Sequence, residues 1–168
     1  MTHTEFLKTP ADILQITADE DYILSIHFTY RTGEENPNAL TRKCAAQLTE
    51  YFDGKRTAFG LPLKTEGTPF QRAVWDALCA IPYGETRSYE DIAAFIGSPK
   101  GVRAVGGANA RNAFTIVIPC HRVIRKDGTI GGYGGGIERK KILLKHETAY
   151  KSSASCTGVS PGASGLPV

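Results

Sequence analysis

A thiol, an imidazole and a guanidinium stand in a row at Cys120-His121-Arg122, directly after Ile116-Val117-Ile118-Pro119. Cysteine attacks as its thiolate, and an adjacent imidazole together with a cationic Arg122 favours that form, so Cys120 is a candidate nucleophile. The preceding β-branched run reads as a buried extended segment, and Pro119 fixes its own φ and biases Ile118 toward extended geometry. Such a segment delivers the sulfur at a rigid point. On these residues alone a structural reading stands beside the catalytic one, because cysteine after an apolar run is often a small buried hydrophobe.

The elements around this stretch narrow the choice. Thr68-Pro69-Phe70-Gln71 is a helix start with a capping box, and Phe70, Val74, Ala77, Leu78 and Ile81 form its apolar stripe up to Pro82. Trp75 and Cys79 read as core in that helix. Ser88 with Asp91 caps a second helix that runs to Gly97, and Ser98-Pro99 starts a third almost at once, the layout of a helix-turn-helix. In the third helix Val102 and Val105 face inward, while Arg103, Gly106, Gly107 and Ala110 share another face. Mid-helix glycines cost about 1 kcal/mol each against alanine, so a pair of them implies close approach to the helix backbone. That approach is either a tightly packed neighbouring helix or a groove in a partner that Arg103 enters.

Glycine-rich Gly131-Gly132-Tyr133-Gly134-Gly135-Gly136 offers backbone N–H groups and one ring, suited to a flat heterocycle, although a flexible linker has the same composition. A last helix covers 138–146, with Ile142, Leu143 and Leu144 inward, Arg139, Lys140 and Lys141 exposed, and Glu147 at its end. Toward the N-terminus, the first ten residues show little pattern. Ile13–Ile16 and an alternation through Tyr22, Leu24, Ile26, Phe28 and Tyr30 read as strands of a small sheet. Asn36-Pro37-Asn38 then opens a helix with stripe Leu40, Cys44, Leu48, Tyr51 and Phe52, ended by Gly54. Residues 55–67 connect the two lobes, and residues from 151 to 168, rich in Ser, Gly and Pro, read as a disordered tail.

Charge divides along the chain. Residues 1–84 hold eight basic and eleven acidic side chains, a net of −3, whereas 85–145 hold eleven and five, a net of +6. The second part is the one that suits a polyanion, although a solvated basic surface has the same composition. Four cysteines without paired short spacing and without a secretory leader imply reduced thiols, a cytoplasmic location and no zinc site. No apolar run reaches the ~20 residues of a membrane span.

In order along the chain, Phe70-Gln71 with Val74-Trp75, Pro82-Tyr83-Gly84-Glu85-Thr86 with Ser88-Tyr89, Arg103-Ala104-Val105-Gly106, Asn112, Ile118-Pro119-Cys120-His121-Arg122-Val123 and the Tyr133 loop resemble the O6-alkylguanine-DNA alkyltransferases. The resemblance implies an α/β protein: a small N-terminal sheet-plus-helix lobe over 1–66, and a mainly helical C-terminal lobe over 67–150 with a winged-helix-like helix-turn-helix. It implies a methylated-DNA–protein-cysteine S-methyltransferase, a DNA repair protein that moves the alkyl group of O6-alkylguanine, and of O4-alkylthymine, onto Cys120 in one irreversible turnover. His121 would activate the thiol by way of a water, with Glu147 orienting the imidazole and Asn112 tying the helix-turn-helix to the active segment. Arg103 would enter the minor groove in place of the extruded nucleotide, with Gly106, Gly107, Ala110, Arg111 and Lys100 against the DNA. Tyr89, Val123, Tyr133 and Gly134 would line the base pocket. The partner would be double-stranded DNA carrying O6-alkylguanine, bound by a monomer without cofactor, metal or membrane. Ala113 departs from the proline that many members carry after the asparagine.

Overall fold

A computed structural model describes residues 1–154, and two compact units divide the chain. One comprises residues 1–66 together with 113–117; the other comprises 67–112 and the chain from Ile118 onward.

The first unit is an antiparallel sheet with one helix. Strands β1 (His3–Thr9), β2 (Asp12–Ala18) and β3 (Ile23–Thr29) pair in the order β1-β2-β3. The opening residues are thus a full strand, although HTEFLKT carries no clean alternation. Its register comes from β2, from His3↔Ala18 to Thr9↔Asp12, and its outer edge is held by side chains: Thr4 N–H donates to Asn36 Oδ1 (2.9 Å) and Phe6 N–H to Glu35 Oε1 (2.8 Å). Pairing of this kind leaves no mark on local hydropathy. In β3 the buried residues are Ile23 and Ile26, three apart, because a register shift at Thr17/Ala18 breaks the strict alternation, while Tyr22 and Tyr30 lie exposed just beyond the two ends of the strand. Helix α1 (Ala39–Phe52) starts at Asn38, whose side chain accepts from Thr41 N–H, and buries Cys44, Leu48 and Tyr51.

The second unit carries the helix-turn-helix. Helix α2 (Pro69–Cys79) has the expected Thr68–Gln71 capping box and buries Val74, Trp75, Ala77 and Leu78, with the Trp75 indole donating to Ala108 O (2.9 Å). Cys79 is exposed at its end rather than core. A two-residue strand β4 (Arg87–Ser88) leads into α3 (Tyr89–Phe95), which Ser88 and Asp91 cap reciprocally. Helix α4 (Val102–Ala110) begins later than the sequence implied. Ser98 O accepts from Gly101 N–H (2.8 Å), so Ser98-Pro99-Lys100 form a separate turn, and a Cβ at Gly101 would fall 2.7 Å from Ser98 Oγ. Beyond it come β5 (Val123–Ile124), parallel to β4, and α5 (Ile137–Ala154).

Helix α5 differs from expectation in length and in facing. It continues through Glu147 to Ala154, so residues 151–154 belong to the helix, while 155–168, including Cys156, lie outside the described residues. Arg139 and Lys140 are buried and Ile142 is exposed. Lys140, Leu143 and Glu147 recur at helical spacing on one inward face, which overrides the hydropathy of the individual residues. Among the described residues no helix is long and apolar enough to cross a membrane, and no group of three metal-ligating side chains could hold an ion.

Candidate active site

Cys120 is delivered by a turn rather than by a strand. Thr115 O accepts from Val117 N–H (2.9 Å), and Ile116 takes φ +74, a left-handed conformation rare for a β-branched residue. Pro119 (φ −82, ψ 64) then forms an inverse γ-turn, closed by Cys120 N–H on Ile118 O (2.8 Å). Residues 120–122 follow as one 3-10 turn, with Arg122 N–H donating to Pro119 O (3.0 Å). β-propensity misled here because tertiary context decides which backbone a β-branched run adopts.

Two asparagines near the end of α4 hold this turn by its carbonyls. Asn112 Nδ2 donates to Ile118 O (2.8 Å) and Asn109 Nδ2 to Cys120 O (3.3 Å). Asn109 had no sequence signal beyond sitting three residues before Asn112, one helical turn away. Its Oδ1 is buried and without a hydrogen bond among the described residues.

His121 is fully buried, and its Nε2 lies 2.6 Å from Glu147 Oε1. A carboxylate only accepts, so Nε2 carries the proton and Nδ1 is the basic nitrogen, with no hydrogen bond among the described residues. Burial pushes the imidazole below its ordinary value, and Arg122 and Lys140 add to this against the pull of Glu147. The ring is therefore neutral at pH 7. Burial alone would raise Glu147, but the His121 N–H and the Arg122 guanidinium overcome it and hold the carboxyl well below the usual range. Arg122 donates through Nε (2.8 Å) and Nη2 (3.0 Å) to the two oxygens of Glu147, and through Nη1 to Ile81 O (2.8 Å).

That engagement corrects the role inferred for Arg122 from its place beside the thiol: its guanidinium serves Glu147. Burial raises the Cys120 thiol, while Asn112, Tyr133 and the Lys140 ammonium oppose the rise. Lys140 is the cation that acts on the sulfur. Its ammonium donates to Val123 O (2.6 Å) and Gly132 O (3.2 Å), and burial lowers it to about 8. A lysine inside an amphipathic helix normally reads as solvent-facing; the signal that could have found it is its spacing of seven from Glu147.

The remaining inferred residues fall in two sets. Tyr89 and Tyr133 are half-buried and electrostatically coupled to Cys120, each hydroxyl raised chiefly by burial. Gly134 is exposed, whereas Val123 is fully buried and its carbonyl accepts from Lys140, so the structure does not place it on an open pocket wall. The other set lies on the surface of the helix-turn-helix: Lys100, Arg103, Gly107, Ala110 and Arg111 are exposed and Gly106 is half-buried. A Cβ at Gly106 or Gly107 would meet nothing within 4 Å. Tight packing of a neighbouring helix therefore does not account for either glycine.

A cysteine adjacent in the chain to an imidazole–carboxylate pair, held by asparagines of a helix with two open glycines, is the arrangement of a helix-turn-helix protein with a candidate cysteine nucleophile. Residues 2–65 match the ribonuclease-like domain of the 6-O-methylguanine DNA methyltransferases, and residues 69–149 match the DNA binding domain of the same family. The chain belongs to this family, the methylated-DNA–protein-cysteine methyltransferases. It is 46% identical over 165 residues to the constitutive methylated-DNA–protein-cysteine methyltransferase of Bacillus subtilis, covering 90% of this chain and 99% of that protein. With the Mycolicibacterium paratuberculosis protein of that name it shares 52% identity over 158 residues, 90% of this chain and 94% of the relative. Among solved structures, Mycobacterium tuberculosis O6-methylguanine methyltransferase superimposes with a TM-score of 0.81 at 40% identity, over 89% and 94% of the two chains. The Mycobacterium tuberculosis OGT complex with DNA gives 0.82 at 40% identity, over 88% and 94%.

Proposed function

We propose that the protein repairs duplex DNA by moving the alkyl group of O6-alkylguanine, and of O4-alkylthymine, onto its own Cys120 in a single irreversible turnover. The observation that carries this reading is the His121–Glu147 contact, which fixes the imidazole proton on Nε2 and leaves Nδ1 basic next to the thiol-bearing residue. As Sγ attacks the alkyl carbon, its proton passes to His121 Nδ1, directly or through a water. A C–S bond forms, and the C–O6 bond breaks with its electron pair going to O6. The base, still attached to its strand, becomes guanine by taking a proton on its ring nitrogen, which the imidazolium supplies by way of solvent, so the imidazole returns to its neutral form. The product thioether is neutral and resists hydrolysis, so each chain acts once.

An O6-alkyl group is inaccessible inside stacked DNA, so the nucleotide must rotate out at a cost of a few kcal/mol. Arg103, exposed on the bare face of α4, would occupy the vacated place, and Gly106, Gly107 and Ala110 would let the helix sit close to the minor groove. Lys100 and Arg111 would meet phosphates. Tyr89, Tyr133 and Gly134 would hold the base, with Tyr89 and the glycine-loop N–H groups offsetting negative charge on the leaving purine. The DNA complex of the Mycobacterium tuberculosis neighbour supports DNA as the partner.

Intact-mass measurement after incubation with an O6-methylguanine duplex tests the reading. One methyl per chain, never more, and none on Cys120→Ser is the expected outcome. Unmodified protein over an unrepaired lesion, or more repaired duplex than protein, would refute it.

A further inference from the structure

We propose that Arg125 binds the backbone phosphate of the everted nucleotide, making the turn after β5 a second DNA contact distinct from the helix-turn-helix. The inference rests on the DNA-repair function proposed above. The parallel register pairs Arg87 with Val123 and Ser88 with Ile124, so the chains leaving the two strands carry Tyr89 and Arg125 side by side. Gly131 confirms the neighbourhood. A Cβ at that residue would lie 3.3 Å from Tyr89 Oη, 3.4 Å from Tyr89 Cε2 and 3.5 Å from Arg125 Cγ. Tyr89 and the Arg125 stem therefore flank the same glycine, with Tyr89 bordering the thiol site.

Hydrogen bonds close the turn that holds Arg125. Arg125 N–H donates to Thr129 O (3.0 Å) and Gly128 N–H to Arg125 O (2.9 Å), with Gly128 at φ +85. Asp127 is the nearby carboxylate, and its Oδ1 already accepts from Thr129 N–H (2.9 Å) and Oγ1 (2.7 Å). Among the described residues the Arg125 guanidinium forms no hydrogen bond or ion pair, and the side chain is exposed. An exposed planar fork with free donors, carried on a hydrogen-bonded turn, suits bidentate contact with a phosphodiester. A nucleotide whose base enters beside Tyr89 and Tyr133 must keep its phosphodiester at the rim of that site, where Arg125 stands.

The test compares wild type, Arg125→Ala, Arg125→Lys and Lys126→Ala on an O6-methylguanine duplex over a range of salt concentrations, and on free O6-benzylguanine, which has no phosphate. Arg125→Ala should slow duplex repair about five- to tenfold at sub-saturating protein and reduce the salt slope by about 0.9, the value for one lost phosphate contact. Its reaction with the free base should stay at the wild-type rate, showing an intact pocket. Arg125→Lys should recover the slope and part of the rate. An unchanged slope and rate in Arg125→Ala, an equal loss on the free base, or the same loss in Lys126→Ala would each overturn the assignment. Wild-type protein that leaves the duplex lesion intact would instead overturn the function beneath it, and the assignment with it.

Discussion

Replacing Glu147 by glutamine separates the chemical role of this carboxylate from its structural one. In the wild type its oxygens take one N–H from His121, two from Arg122 and the Gly84 N–H (3.2 Å). Truncation to alanine would strand a buried guanidinium, and breaking a buried pair in this way costs about 3–5 kcal/mol. Glutamine keeps the shape and one acceptor oxygen but not the charge, so its cost should fall at the lower end of that range, about 3 kcal/mol. The amide has a consequence for the imidazole that alanine lacks. With its oxygen held by Arg122, its NH2 turns to His121 Nε2, which then becomes the acceptor. The ring proton moves to Nδ1, and the base that should receive the thiol proton is lost.

A wrongly placed proton removes general-base assistance worth about 10²–10⁴-fold. Single-turnover reaction with free O6-benzylguanine, followed by intact mass, reads this without any contribution from DNA binding. The rate should fall by that factor at pH 7 and recover as pH rises, because the thiol, held above its ordinary 9.0 by burial, then ionises unaided. Urea unfolding supplies the structural half. Glu147 is depressed in the folded state, so its stabilisation is complete above the ordinary value of 4.5 and lost as pH falls through the lower folded value. His121, a base whose folded value is also depressed, binds its proton more readily when unfolded and loses stability as pH falls below 6.5. Both act in the same direction, and Glu147→Gln should remove the part below about pH 4.5. A Glu147→Gln protein that reacts at the wild-type rate at pH 7 while remaining folded would refute the tautomer argument.

Gly106→Ala and Gly107→Ala place a methyl group in open space, so each should raise stability by about 0.5–1 kcal/mol through helix propensity while weakening duplex binding. Thermal unfolding beside duplex titration checks this; lower stability, or binding that does not change, would show that the bare face serves another purpose. Lys140→Met removes the cation that opposes the rise of the Cys120 thiol and leaves Val123 O and Gly132 O without their donor. The pH midpoint of thiol alkylation by iodoacetamide should therefore move upward, and a midpoint that stays or falls would remove Lys140 from the account.

Local chemistry made much of this protein legible from the chain alone. Capping boxes at Thr68–Gln71 and Ser88–Asp91 are satisfied within four residues, so they form wherever the helices form. The bare face of α4 follows from helical spacing, and the adjacency of Cys120 and His121 is covalent. Tertiary structure decided whatever depends on distant partners. β1 is a strand because β2 supplies its register, and Ile116 leaves extended geometry despite its β-branched neighbours. Arg122 faces Glu147 rather than the sulfur, and Lys140 goes inward because two carbonyls on other segments repay its desolvation. A charge adjacent in sequence to a nucleophile need not be adjacent in its field. Which cation acts on the thiol was set by the fold, since Coulomb interactions follow distance and burial rather than chain order.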